Sequence, residues 1–543
     1  IVQNSGEPGN EELSVQVRGR GTFSEAGSDP LVLIDGVQGN LSDLDPNNIE
    51  NVSVLKDAAS ASIYGSRAAN GVILVTTKTG TEDGFRVEYT GNYAMHSPTK
   101  MLDLITNSAE YMELWNEAKL NTGINNGLYT QEQIDLYRNA SDRNQYPNAD
   151  WVDIIFNPAP TQTHHLSFSG GGNGTHYHAS VGYVDQEGVM KGFDYKKYNA
   201  RLNLASRIND NITFGANLAV MQGERTGPRQ GSDDLFLATL SQAPTYMPKL
   251  PDGSGRYTFR AYDFEQNNKN PVAIVENEVF RGFTDYGVNI QGWTDVKFFR
   301  TLNWYTKAAI VGDFSKWDDW RPGVPLYNYQ TGEFMTDLDV GGQGLIVENN
   351  RNIYTNLYTY LTYGETIGSH NLNAMLGYSQ EENNYEFLNG YRRDFSGNSL
   401  RELNAGSPAV QNSSGTEVEW ALRSFFGRLG YNFKQRYLLE LNLRYDGTSR
   451  LHPDTRWGAF PSVSAAWRLT EEPFAQNAGL DWLNDLKVRG SYGELGNQNI
   501  GNYPYQSLLA LTGNYPFDNT NLSTGAAQTA LANPDITWET TKV

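Results

Sequence analysis

Segments that alternate apolar and polar side chains recur through most of this chain, and they limit its fold more than any other feature. In Tyr198-Asn199-Ala200-Arg201-Leu202-Asn203-Leu204 the even positions are apolar. Ile212, Phe214, Ala216, Leu218 and Val220 repeat the pattern after Asn209-Asp210-Asn211. Tyr437, Leu439, Leu441, Leu443 and Tyr445 alternate with Leu438, Glu440, Asn442, Arg444 and Asp446. A period of two sends successive side chains to opposite faces of a sheet. One set is too hydrophilic for a sandwich core, and the other is rich in aromatics. A wet face and a greasy face fit the wall of a transmembrane β-barrel around a polar lumen.

The pattern predicts strands near 86–95, 162–170, 175–184, 196–207, 212–222, 283–296, 301–312, 352–363, 371–380, 421–433, 437–446, 459–469, 485–494 and 537–543. Their connections alternate long and short. Gly171-Gly172-Asn173-Gly174, Asn209-Asp210-Asn211, Lys297 to Arg300 and Lys434-Gln435-Arg436 fill short slots, and only Thr470 to Asn484 is longer than its slot predicts. Such parity puts the long loops on one side, as in outer-membrane barrels with long external loops and short periplasmic turns. A β-propeller would instead repeat every four strands. An open edge in lipid costs several kcal/mol per unpaired backbone group, so fourteen strands call for more. With Ile at position 1 and a strand only begun at Asp535 to Val543, the chain reads as the middle of a longer protein.

Composition narrows the alternatives. With 42 Lys and Arg against 62 Asp and Glu, the net charge is -20, which argues against nucleic acid as a partner. There is no Cys, so disulfides, thiolate catalysis and Cys-ligated metals are excluded. No apolar run approaches the roughly 18 to 20 residues of a membrane-spanning helix, a test that barrel strands escape.

Residues 1–84 differ from the rest. Leu31 to Ile34 predicts a strand ended by the turn pair Asp35-Gly36. Val52 to Leu55 predicts another. Asp57 is placed to cap a short helix over Ala58 to Ile63, and Gly71 to Thr77 predicts a buried strand. This is a small α+β unit, followed over 85–543 by the alternating region.

The small unit resembles the plug of TonB-dependent outer-membrane transporters, in particular the SusC/RagA family of Bacteroidetes. The resemblance rests on Val17-Arg18-Gly19, Asp29-Pro30-Leu31-Val32-Leu33-Ile34-Asp35-Gly36-Val37, Ile49 to Ala58, and Ala61-Ser62-Ile63-Tyr64-Gly65-Ser66-Arg67-Ala68-Ala69-Asn70-Gly71-Val72-Ile73. Further along, His165 to Gly171, Trp457-Gly458-Ala459-Phe460-Pro461-Ser462, Leu486 to Gly493, Gly496-Asn497-Gln498 and Asn533 to Glu539 also look like that family. The resemblance implies a plug held inside a barrel of the 22-strand class. It further implies active import of oligosaccharides, or in some members peptides, across the bacterial outer membrane. A SusD-like surface lipoprotein would cover the mouth, and the TonB–ExbB–ExbD complex would supply energy. No covalent chemistry and no cofactor are implied.

Candidate residues follow from both readings. The matched plug residues are Arg18, Gly19, Asp35, Gly36, Lys56, Asp57, Tyr64, Gly65, Arg67, Asn70 and Gly71. The charges among them either hold the plug against a polar wall, releasably, or only shape the plug's own fold. In a predicted loop from Asp313 to Gly344, Trp317, Asp318, Asp319, Trp320, Tyr327 and Tyr329 combine rings that stack on sugars with carboxylates that accept hydroxyl hydrogens. An interfacial aromatic girdle or self-packing of the loop is the plainer explanation of them. Asp337 and Asp339 lack the later ligands of a calcium loop. His176 and His178 share a strand face, as zinc ligands or as plain wall residues. Asn107 with Glu110 predicts the capped start of a helix through Trp115 in the first long loop.

Two other functions compete. A secreted β-rich carbohydrate-active enzyme suits the Trp and acidic content, yet no carboxylate pair is marked. A passive porin or adhesin would not need a plug.

Overall fold

The computed structural model describes the chain apart from residues 1, 4, 11–12, 16–28, 57–69, 82–83, 230, 266–268, 278–279, 339–341, 478–481 and 517–521. A short pair, β1 (Val2–Gln3) and β2 (Leu13–Ser14), precedes the plug sheet. That sheet has the order β4-β3-β6-β5 and comprises β3 (Leu31–Ile34), β4 (Val37–Gln38), β5 (Ile49–Leu55) and β6 (Val72–Thr77). Leu31, Leu33 and Val72 pack on one side of it, and Ile34, Leu44, Ile73 and Val75 on the other. The helix expected after Asp57 lies outside the described residues.

The wall is one antiparallel sheet of 14 strands. Its members are β7 (Phe85–His96), β8 (Ala159–Gly172), β9 (Thr175–Glu187), β10 (Asp194–Asn209), β11 (Ile212–Pro228), then, after the short external β12 (Tyr257–Arg260), β13 (Phe280–Lys297) and β14 (Leu302–Arg321). External β15 (Pro325–Asn328) and β16 (Phe334–Asp337) intervene before β17 (Gly344–Ile367), β18 (His370–Arg393), β19 (Gln411–Phe433), β20 (Tyr437–Thr448), β21 (Trp457–Arg468) and β22 (Lys487–Asn497). A hairpin of β23 (Leu509–Pro516) and β24 (Leu522–Gln528) leads to β25 (Glu539–Lys542), which pairs with β22. Every predicted strand is present, and the expected parity of turns is kept.

The wall is inside out relative to a soluble protein. On β10, Lys197, Arg201 and Asn203 are buried, while Tyr198 and Leu202 between them are exposed. On β20, Asn442, Arg444 and Asp446 are buried, and Leu439, Leu441, Leu443 and Tyr445 face outward. So much contiguous apolar surface is untenable in water and suits a hydrocarbon surround. No helix among the described residues is long and apolar enough to cross a membrane.

The tight turns follow local chemistry. Asn173 and Gly174 both have positive φ (54° and 77°), as a two-residue type I′ hairpin loop requires. The strands overrun their predictions at the opposite, external end. β17 and β18 each have 24 residues, whereas about 9–11 cross a bilayer. The predicted loop from Asp313 is therefore corrected: β14 continues to Arg321, paired with both β13 and β17. Above the membrane no lipid selects apolar side chains for one face, so the alternation that marks a strand fades while the hydrogen-bond ladder continues.

The long loops fold together into an external cap. Asn107 accepts from the Glu110 amide at the start of helix Ser108–Asn121, and Thr130 with Gln133 forms a capping box on helix Gln131–Asn139. Short helices Trp151–Ile155 and Pro271–Glu276 are capped by Asp150 and Asn270. One core joins Trp151 and Ile155 from the first loop, Leu235, Tyr246 and Ile274 from the next, and Leu326 and Tyr329 from a third. Complete burial of an aliphatic side chain such as Ile155 or Ile274 contributes about 1.5–3 kcal/mol. Helix Ser108–Asn121 also meets Tyr262 and Phe264 of the second loop.

Candidate functional site: the plug–wall interface and the chamber above it

The tip of the β3–β4 hairpin is held by the wall. Asp35 and Gly36 both have positive φ (51° and 84°), which the two-residue turn demands and which Asp and Gly tolerate. The Asp35 carboxylate accepts from the Thr77 amide at 2.8 Å and the Thr77 hydroxyl at 2.7 Å. From the wall it receives Arg201 at 3.2 Å and the Asn217 amide at 3.2 Å. Lys307 donates to the Asp35 main-chain carbonyl and also to Gln291, whose amide reaches the Ile34 carbonyl at 3.4 Å. Asn203 donates to the Thr77 hydroxyl and the Lys78 carbonyl, each at 2.7 Å. Four wall strands, β10, β11, β13 and β14, thus converge on one turn.

A second grip lies on the 3-10 turn Pro46–Asn48. His165 of β8 meets the Asp45 carboxylate at 2.9 Å, and Ser180 of β9 donates to the Asn48 side chain at 2.8 Å with His178 beside it. His178 is therefore turned to the plug, and no group of three metal-ligating side chains forms among the described residues. Lys197 donates to the Ser42 carbonyl. Among the described residues these contacts are polar, and Val37 against Ala309 and Tyr354, and Leu495 against Leu31 and Val72, add apolar ones.

Above the plug lies a cavity of about 770 Å³, lined by the plug segment 38–45 and by the lumen faces of β10 to β19. Asp43 of the plug, Asp285 of β13 and Asp313 of β14 supply carboxylates. Burial pushes the Asp43 carboxyl above its ordinary value; Lys197 counters this and Asp313 adds to it. Amides form a ladder on one side: Asn383 donates to Asn352 at 2.9 Å, and the Tyr385 hydroxyl to Asn350 at 2.8 Å. Trp420 and Tyr354 add rings 6.3 Å apart.

The predicted residues fall into several groups. Asp35 and Gly36 lie at the plug–wall contact. Lys56 is exposed at the end of β5, and Asn70 and Gly71 form the turn into β6, where the Gly71 carbonyl accepts from Leu31. Arg18, Gly19, Asp57, Tyr64, Gly65 and Arg67 lie outside the described residues. The aromatic and acidic set is not brought together. Trp320 is 3% exposed, set edge-on to Phe395 and against Leu345, and Tyr329 is 2% exposed in the cap core with its hydroxyl on the Asn144 carbonyl. These two rings have no free face for a sugar, a correction to their expected role. Tyr327 carries the Arg256 guanidinium over its ring. Asp318 pairs with Lys316 on the outer face, whereas Trp317 and Asp319 share the lumen face with Asp313. Asp337 ends β16, and Asp339 lies outside the described residues. Sequence reasoning missed Arg201, Lys307, Asn203, His165 and Asn48. The one available signal was a cation or amide at lumen positions of the alternating strands.

A small mixed sheet enclosed by an inside-out wall defines the class: a plugged outer-membrane β-barrel. The unliganded ferric citrate transporter FecA shares this fold, with TM-score 0.50 and 11% identity over 88% of this chain and 56% of that one. Residues 1–72 match the TonB-dependent receptor plug domain. The chain is 30% identical over its whole length to TonB-dependent receptor P26 of Formosa agariphila, covering 52% of it. It is also 30% identical over its whole length to TonB-dependent receptor SusC of Bacteroides thetaiotaomicron, covering 53% of that protein. The RagAB peptide importer in its closed-closed state superposes with TM-score 0.79 and 26% identity over 97% of this chain and 60% of that one. The chain is thus similar over its whole length to TonB-dependent receptors of the SusC and RagA kind, and it spans about half the length of the curated relatives it matches.

Proposed function

We propose that the protein imports oligosaccharides or peptides through the outer membrane, with TonB–ExbB–ExbD pulling on the plug and a SusD-like lipoprotein closing over the cap. The observation that carries this reading is the polar plug–wall interface centred on Asp35. A greasy interface would be permanent. Groups held by hydrogen bonds and ion pairs can re-form those bonds with water as they separate, so a plug held by them can shift under force and return. Nutrient import is also the reading that the SusC and RagAB likenesses favour, and it leaves the chemistry of the cargo unchanged. The test is uptake of labelled oligosaccharides and peptides by cells carrying the full protein, with and without TonB. Uptake should vanish without TonB; uptake that survives would turn the reading toward a passive pore. Purification from outer membranes should bring down a surface lipoprotein.

A further inference from the structure

We propose that the chamber above the plug selects for uncharged, hydroxyl-rich oligosaccharides and turns polyanionic ones away. This rests on the import reading above and adds the charge class of the cargo. The chamber is lined by four carboxylates. Asp45 is held by His165, which leaves Asp43, Asp285 and Asp313, delivered by three separate elements. Its two lining cations both have partners, and Lys197, beside Asp43, donates to the Ser42 carbonyl. Arg201 is bound to Asp35, and the Arg225 guanidinium lies 5.0 Å over the Phe283 ring with a hydrogen bond to the Gly9 carbonyl at 3.4 Å. Sulfate and uronate recognition needs guanidinium or ammonium groups turned to the ligand. Here an anionic sugar would meet like charge in a partly desolvated space, inside the ~8–10 Å over which salt leaves charges visible to one another.

The rest of the lining suits neutral sugar. Asn350, Asn352 and Asn383 line it with amides that each have further donor and acceptor capacity beyond the bonds they make to Ser315, Asp313 and one another, and Trp420, with Arg450 over its ring, stands at the chamber wall.

The experiment uses the full protein purified in detergent. Binding is measured, through Trp fluorescence and calorimetry, for neutral oligosaccharides, for sulfated and uronate oligomers of matched length, and for oligopeptides. A neutral oligomer should bind at least about tenfold more tightly than its sulfated counterpart at low salt, the gap narrowing as salt rises. The combined variant Asp43→Asn, Asp285→Asn, Asp313→Asn should close most of that gap. Equal or tighter binding of the sulfated oligomer, a gap indifferent to salt, or binding of peptides alone would overturn the proposal. If the variant does not fold, the salt series on the unaltered protein still decides. Loss of TonB-dependent uptake for every solute would sink the import reading itself; uptake with an anionic preference would sink only the charge inference.

Discussion

Arg201, on the lumen face of β10, meets Asp35 at the tip of the plug hairpin at 3.2 Å, and both side chains are less than one-tenth exposed. The two residues lie 166 positions apart in the chain. Because Asp35 also receives Thr77, Asn217 and, at its carbonyl, Lys307, the pair is the centre of a network rather than an isolated bridge.

Replacing Arg201 with Ala leaves the Asp35 carboxylate buried with the Asn217 amide still donating from the wall but without its charged partner, and it also removes the Arg201 contact with the Thr77 hydroxyl. Breaking a buried pair from one side costs about 3–5 kcal/mol. Hydrogen exchange at the Thr77 amide should accelerate strongly in Arg201→Ala and less in Asp35→Asn, which keeps a residue tolerated at positive φ. Unchanged exchange in Arg201→Ala would show that the pair does not hold the plug.

Gly80 lies where the chain leaves the plug against β9. A Cβ there would stand 2.1 Å from the Tyr177 carbonyl oxygen and 2.5 Å from its amide nitrogen, main-chain atoms that cannot rotate away. Gly80→Ala should lower the melting temperature of the assembled protein. Gly172→Ala, with open space at its Cβ, should not.

The outward face of β20 gives a direct test of the membrane. Leu443 is 53% exposed, so Leu443→Arg would be nearly silent in a soluble protein. In a bilayer it should cost about 2–4 kcal/mol near the midplane. Folding titrations in lipid vesicles, compared with detergent micelles, read that difference.

Glu265 joins the cap loops. Its carboxylate accepts from the Tyr129 and Thr245 hydroxyls at 2.7 and 2.6 Å and from the Ala261 and Tyr262 amides. Burial raises its pKa, and these four donors only partly offset the rise. A folded-state pKa above the unfolded one gives stability that is full below the unfolded value, about 4.3, and is lost as pH rises through the folded value. Cap amides in helix Ser108–Asn121 should therefore exchange faster as pH climbs through that window, after correction for intrinsic rates. Glu265→Gln should flatten this dependence while keeping the cap, because the two hydroxyls can turn to accept from its amide. A dependence that persists in Glu265→Gln would place the titration elsewhere.

The alternation in β10 and β20 was enough to define a barrel wall, because lipid outside and water inside impose opposite demands on successive residues. Asp35-Gly36 likewise announced its turn, since few other pairs accept two positive φ values. What the linear pattern could not carry was which lumen residue meets which plug residue. Arg201, Lys307 and His165 are ordinary polar positions of a strand until the barrel's curvature brings them to the hairpin tip and to Asp45. Nor could composition separate Trp320 from Trp420: both are Trp among acidic or polar neighbours, yet one is sealed against Phe395 and the other lines the chamber. Period and turn chemistry are local, so they are written in the sequence. Burial and partnership depend on residues far away in the chain, so only the folded chain decides them.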